Sequence, residues 1–378
     1  MTSPLITGVG ISDFGRFPQL TEEALAQAAI LGAIEDADIA LSDVQAFYCG
    51  NAAGSHLPGQ RSLRELGTAG QPVFNIDNAC SSGATALHLA LQAMNAGAYD
   101  TVVVFGMDQL SNLGGGTLPL NQNDWNNRRG MVMPALYAMR ARRYMQEYGV
   151  PAEALADVSV KNRRHGALNP IATFCKLVTR EEVLASRPIA EPLTLLQCCP
   201  AVVDGAAAVV LSTRVRRGQA QPVRVLASVV QSGIFEPGVV DMTEAEITAR
   251  TARLAYEQAG VGPNDLSLIE LHDAFTISEL LYYEALGLCE RGQAQHLLAS
   301  GATSLGGRIP VNPSGGLIAK GHPPGATGIA QIVEICEQLQ QRAGQRQITG
   351  ARLGLSQVTG GGISGVDHAA CSIHILSI

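Results

Sequence analysis

The sequence predicts a layered α/β fold. Three observations carry that prediction. Strand-length apolar runs alternate with helix-length amphipathic segments. One run, TVVVFG at 101–106, is apolar throughout, as a strand covered on both faces must be. The order of elements in the first half returns in the second, and such alternation stacks helices on sheets.

The first half opens with a short strand at ITGVG (6–10), then a helix from Thr21 to Asp38. AFYCG (46–50) and PVFNI (72–76) read as strands. Residues 81–97 read as a helix with Ala84, Leu87, Leu91 and Met94 on one face, followed by the strand at 101–106. From Ser111 to Pro200 the texture changes: a GGG run, many arginines, the single Trp125 and several helical stretches suggest an insertion over the sheet. The strand pattern resumes at AAAVVLST (206–213). The second half repeats the scheme: a strand at 223–230, a helix at 243–260, the strand LSLIEL (266–271) and the helix 275–288. The triplet Gly83-Ala84-Thr85 opens a helix that leads to a buried-type strand. Gly325-Ala326-Thr327 does the same before RLGLSQ (352–357), which points to internal duplication.

Composition excludes several functions. The 378 residues are 46% hydrophobic and 16% charged, with net charge −7 and no basic run, so nucleic-acid binding has no support. The N-terminus lacks a basic lead and a long apolar run, so no secretory signal is expected. No stretch approaches the ~18 apolar residues of a membrane span. A cytoplasmic location follows as the expectation, with the eight cysteines as free thiols. They show no paired CxxC spacing, so no metal site is expected.

Four segments carry candidate chemistry. In NIDNACSSGATALHLA (75–90), Cys80 sits where a strand hands over to a helix. Unpaired amides at a helix start stabilise a thiolate, so the expectation is a lowered pKa and the fastest alkylation among the eight thiols; a small buried thiol is the alternative. In NPSGGLIAKGHPPGATG (312–328), His322 stands on a glycine-rich turn, placed as a general base or as a plain surface residue. LIELHDAFTISE (268–279) delivers His272 and Asp273 to the end of a strand, Asp273 also suiting a cap on the next helix. SQVTGGGISG (356–365) runs into Gly360, Gly361 and Gly362, which could present amides to an oxyanion or make a tight connection. Cys198-Cys199 reads as buried strand. Lys161, Arg163, Arg164 and His165 read as a solvated helix face or a phosphate grip, as do Arg140, Arg142 and Arg143.

These segments, in this order, resemble the thiolase superfamily, and the sterol-carrier-protein type within it. The residues that carry the likeness are DNACSSGATAL, LTLLQCCP…DGAAA, HDAF, GGLIAKGHPPGATG and the late glycine run. The resemblance implies a five-layered α/β/α/β/α fold of two βαβαβαββ halves, spanning 1–213, with an inserted loop domain at about 111–200, and 222–378. It implies acyl transfer from coenzyme A thioesters, which are substrates rather than resident cofactors. Cys80 matches the nucleophile and His322 its base. His272 matches a residue of the first oxyanion hole, and Gly360 an amide of the second. A homodimer or dimer-based tetramer is implied. Two alternatives come with the family: a retro-aldol lyase of side-chain acyl-CoA working with a small OB-fold partner, and a non-catalytic acyl-CoA- or lipid-binding subunit. The sequence departs from the pattern at one function. Thiolases need a second acid/base thiol, placed in HDCF or in a C-terminal CxG. Here those positions are Ala274 and Val358.

Overall fold

The computed structural model describes residues 3–54, 56–68, 70–113, 125–214, 221–234, 240–361 and 369–378. The first run of elements is β1 (Leu5–Ile11), α1 (Glu22–Asp36), β2 (Ala46–Gly50), α2 (Pro58–Leu63), β3 (Val73–Ile76), α3 (Ser82–Asn95) and β4 (Thr101–Gln109). The inserted segment contributes α4 (Trp125–Arg128), α5 (Met133–Tyr148), α6 (Ala152–Gly166), α7 (Arg180–Leu184), β5 (Pro188–Ala190) and β6 (Leu193–Thr194). Then come β7 (Asp204–Ser212), β8 (Val223–Ser232), α8 (Glu246–Ala259), β9 (Leu268–Glu270), α9 (Thr276–Ala285), α10 (Ala294–Ala299), α11 (Gly316–Ala319), α12 (Pro324–Leu339), β10 (Leu353–Gly360) and β11 (Ala370–Ser377).

β4 shows why the fold is layered. Its alternate residues serve two cores. Val103, Phe105 and Met107 join Ala29, Ile30 and Ala33 of α1. Val102 and Val104 face the other way, with Leu87 of α3 and Ile329 and Val333 of α12. A run apolar on both faces is therefore a central strand. The strand order is β3-β2-β4-β7-β1-β8-β11-β10-β9, and among the described residues the two half-sheets join through Leu5–Arg224 and Ile6–Val223. α3 and α12 lie between the half-sheets, with α1 outside the first and α8 outside the second. The five layers implied by the resemblance are present.

The duplication is visible in the pairing. β2 runs parallel to β4, β4 antiparallel to β7, and β7 antiparallel to β1. β9, β10, β11 and β8 repeat those three relations in order. The counterpart of β3 is reduced to one parallel bridge, Ile269 with Val311. The last strand, β11, had no sequence-based expectation. Cys198-Cys199 is not a strand: it follows a 3₁₀ turn at Leu195–Gln197 and makes a single antiparallel bridge, Cys198 with Phe275.

The two Gly-Ala-Thr triplets meet where the starts of α3 and α12 cross. A Cβ on Gly83 would fall 2.4 Å from the Gly325 carbonyl oxygen, and one on Gly328 2.7 Å from the Ala84 side chain. Glycine is required by that approach, which brings the loops before both helices together.

The inserted α6 packs on α9, α10 and α11 of the second half, and its cationic stretch is a correction to the sequence reading. Lys161, Arg163 and His165 are buried, and only Arg164 of the four is exposed. Lys161 Nζ pairs with Glu279 Oε1 at 2.7 Å and donates to the Val311 carbonyl at 2.9 Å. Asn162 donates to both Asp273 and Glu279, at 2.8 Å each. His165 accepts from the Leu305 amide through Nε2, so its Nδ1–H donates to the Asn312 carbonyl at 2.9 Å. These groups are tethers holding the loops at 272–273 and 312–316. Arg140 is likewise buried, with the carbonyls of Met242 and Glu244, whereas Arg142 and Arg143 make surface ion pairs.

Candidate active site

Cys80 stands two residues before α3 on a turn that its neighbours force. Ala79 adopts φ +50°, a conformation rare outside glycine. The Ser81 and Ser82 amides, which the sequence reading gave to a thiolate, donate instead to Asn78 and Ala79 carbonyls, both at 3.0 Å. Cys80 is half-buried. Burial first, and then the charge of Asp108, push its thiol up to about 12, against the opposing pull of the Gly361 and Cys80 amides. The expected low pKa is therefore corrected: the helix-start amides are spent in the turn, and desolvation wins.

His322 approaches from the turn before α12. Thr327 has one hydroxyl proton and gives it to the Pro323 carbonyl at 2.8 Å. Its oxygen must then accept from His322 Nδ1–H, at 2.7 Å. That leaves His322 Nε2 unprotonated, 3.2 Å from Cys80 Sγ, where it accepts from the thiol. Burial and then Lys320 hold His322 down to about 3, so the pair rests as thiol and neutral imidazole.

His272 completes the cluster. Its ring lies edge-on to that of His322, centroids 5.1 Å apart. Nδ1 meets Thr359 Oγ1 at 3.1 Å, and Thr359 meets the Tyr282 hydroxyl at 3.0 Å. One donor atom each from Cys80, His272 and His322 lies within 4.8 Å of the other two, the one such group of three among the described residues. The group sets a thiol, its neutral imidazole acceptor and a second imidazole around one point, which suits nucleophilic attack on a thioester carbonyl, and the same atom types would also suit a thiophilic cation.

The remaining sequence candidates fall as follows. Gly360 ends β10 against the Cys80 loop; a Cβ there would sit 2.0 Å from the Asn78 carbonyl oxygen. The amide directed at the Cys80 sulfur is that of the next residue, Gly361. Gly362 lies outside the described residues. Asp273 does not cap α9, whose N-cap is Phe275; it accepts from the Leu317 and Ile318 amides of α11 instead. Sequence reasoning missed Thr327, Thr359 and Asp108. The buried Asp108 accepts from Asn51, Ala52, Ala53 and Gly325, and burial raises it to about 7. Thr327 was legible as part of a repeated triplet, but only the coordinates tie it to an imidazole.

With this geometry in hand, comparison with known proteins decides the family. Residues 5–215 match the thiolase N-terminal domain, and residues 238–373 the thiolase C-terminal domain-like family. The chain belongs to the thiolase family. Among its relatives is the "benzoylsuccinyl-CoA thiolase subunit BbsB" of Thauera aromatica, 41% identical over 97% of each chain. An "acetyl-CoA acetyltransferase" of Methanothermobacter thermautotrophicus is 38% identical over the full length of both. "Sterol carrier protein 2" of Homo sapiens is 36% identical over 94% of this chain and 69% of its own. A solved structure described as "Ltp2-ChsH2(DUF35) aldolase" superposes with TM-score 0.85 at 28% identity, over 99% of this chain and 97% of that one. Thiolase relatives of this kind support an acyl-CoA enzyme. No helix among the described residues is long and apolar enough to cross a membrane.

Proposed function

We propose that this thiolase is a coenzyme A thioester acyltransferase that carries its acyl group on Cys80 and breaks or forms a carbon–carbon bond. The observation that carries the reading is the 3.2 Å contact of Cys80 Sγ with a His322 Nε2 whose tautomer Thr327 fixes. The thiol attacks the acyl carbonyl as its proton passes to Nε2, so no free thiolate has to survive in the buried site. The Cys80 amide with that of Gly361 receives the oxyanion that develops on the acyl group, and His272 receives the thioester oxygen of the second reactant. Coenzyme A enters and leaves as substrate. A homodimer or dimer-based tetramer in the cytoplasm belongs to the same reading.

A second reading is a retro-aldol lyase of side-chain acyl-CoA with a small OB-fold partner. The structural neighbour described as an aldolase with a DUF35 protein favours it. The two differ at Cys80, because a retro-aldol cleavage needs no acyl-cysteine. Intact-protein mass spectrometry after mixing with a panel of acyl-CoAs separates them. The acyltransferase reading expects an acyl adduct that maps to Cys80 and is absent from Cys80→Ala. Full turnover by Cys80→Ala would hand the site to the lyase.

A further inference from the structure

Carbon–carbon chemistry at a thioester needs a group that gives or takes a proton at the α-carbon. Ala274 and Val358 have none to offer. The structure places another thiol beside Ala274. The Cys199 amide donates to the Ala274 carbonyl at 2.8 Å, and Cys198 bridges Phe275 in antiparallel register. In that register Cys199 stands opposite Ala274, and directly opposed residues carry their side chains on the same face. Ala274 lies two residues along the chain from His272, in the loop that follows β9, so Cys199 is fastened to the loop that delivers His272. The Cys198 thiol donates to the Thr194 carbonyl at 3.4 Å, whereas the Cys199 thiol lies within reach of its own backbone amide. The charge of Cys80 also reaches Cys199: burial raises its thiol first, then the charges of Cys198, Cys80 and Asp273.

We infer that Cys199 is the second acid/base of this enzyme, delivering to the α-carbon from the neighbouring chain segment the proton that residue 274 cannot. The inference rests on the acyl-cysteine reading above. In the cleavage direction Cys80 attacks the 3-keto carbon and its proton goes to His322. The bond between the 2- and 3-carbons breaks, and its electron pair becomes the enolate of the departing acyl-CoA. That enolate takes the proton of Cys199. A second coenzyme A thiol gives its proton to the Cys199 thiolate and attacks the acyl-cysteine. Cys80 leaves as thiolate and recovers its proton from His322. Every proton and both sulfurs are returned, and no oxidant or further reactant is needed.

The test separates the two thiols. Wild type, Cys199→Ala, Cys199→Ser and Cys198→Ala are incubated in D2O with acetyl-, propionyl- and succinyl-CoA, and deuterium at the α-carbon is read by mass spectrometry. Acylation of Cys80 and the urea midpoint are measured on the same samples. Wild type and Cys198→Ala should exchange, while both Cys199 variants lose roughly 100-fold or more, the usual scale for a positioned acid/base. Cys80 acylation in those variants should stay within about threefold, and Ala274→Cys placed on Cys199→Ala should restore exchange. Exchange surviving in either Cys199 variant, no exchange by wild type, or parallel loss of exchange and acylation would each overturn the assignment. Absence of any Cys80 adduct in wild type sinks the acyl-cysteine reading by itself, whatever the exchange shows.

Discussion

Thr327 is the smallest device in the site with the largest leverage. Its hydroxyl can donate once, the Pro323 carbonyl takes that donation, and His322 is left with a single usable tautomer. Thr327→Val should slow Cys80 acylation about tenfold or more, and Thr327→Ser should restore it. His322→Ala should cost about 100-fold, since it removes the base itself. Stopped acylation followed by mass spectrometry reads all three, and a silent Thr327→Val would show that packing alone orients the ring. His272→Ala should leave acylation nearly intact and impair the later step. The raised thiol pKa reorders reactivity as well. Cys175 is the one exposed cysteine of the eight, so it should be alkylated before Cys80 at neutral pH. The Cys80 alkylation rate should be low at pH 6 and still climb about tenfold per pH unit past pH 9, because the thiolate is the nucleophile and the thiol ionises only near 12, whereas a free thiol levels off above about 8.5. Peptide mapping of iodoacetamide adducts checks both points; Cys80 labelled first would restore the activated-thiolate picture. At this scale the sequence points to Cys80, His272 and His322, which the structure brings together, because Cys and His are chemically marked. It does not reveal protonation, which depends on enclosure by residues hundreds of positions away.

At the scale of elements, the crossing of α3 and α12 places Cys80 beside His322. No side chain bigger than hydrogen fits at Gly83, Gly325 or Gly328. Gly83→Ala would drive a methyl into backbone, which cannot swing aside, so a loss of about 1–3 kcal/mol is expected from overpacking. Urea denaturation measures it. The variant that remains folded should also acylate more slowly, because the loops carrying Cys80 and His322 part; unchanged stability and acylation would mean the helices slide without cost. The repeated triplet was readable as a sign of duplication, since glycine spacing survives in a one-dimensional text. Its meaning as a contact was not readable, because the two copies are 242 positions apart, as are Cys80 and His322. The cationic run on α6 misled for a related reason: charge predicts solvent by default, and only the acids and carbonyls brought in by the second half show that Lys161 and His165 are enclosed.

At the scale of the whole molecule, that enclosed network fastens the inserted segment to the second half. Lys161 and Glu279 are almost fully buried, so removing one partner strands the other charge away from water. Lys161→Met should therefore destabilise by about 3–5 kcal/mol, well above the effect of a surface pair such as Arg142–Glu191, for which Arg142→Met should cost less than about 1 kcal/mol. Equal midpoints in urea for the two variants would contradict this ranking. The layered architecture was legible from the sequence because β4 is apolar on both faces and the element order recurs. The counterpart of β3 in the second half was not, since a strand reduced to the bridge at Val311 leaves no periodic run to read.

The doubled fold has divided its labour. Cys80 comes from one copy and His272 and His322 come from the other. Neither copy holds all three, so on the acyl-cysteine reading a fragment bearing one copy would be unable to run the reaction however well it folded. Fusing the copies into a single polypeptide fixes their stoichiometry at one to one, and every molecule leaves the ribosome carrying both halves of its own reaction.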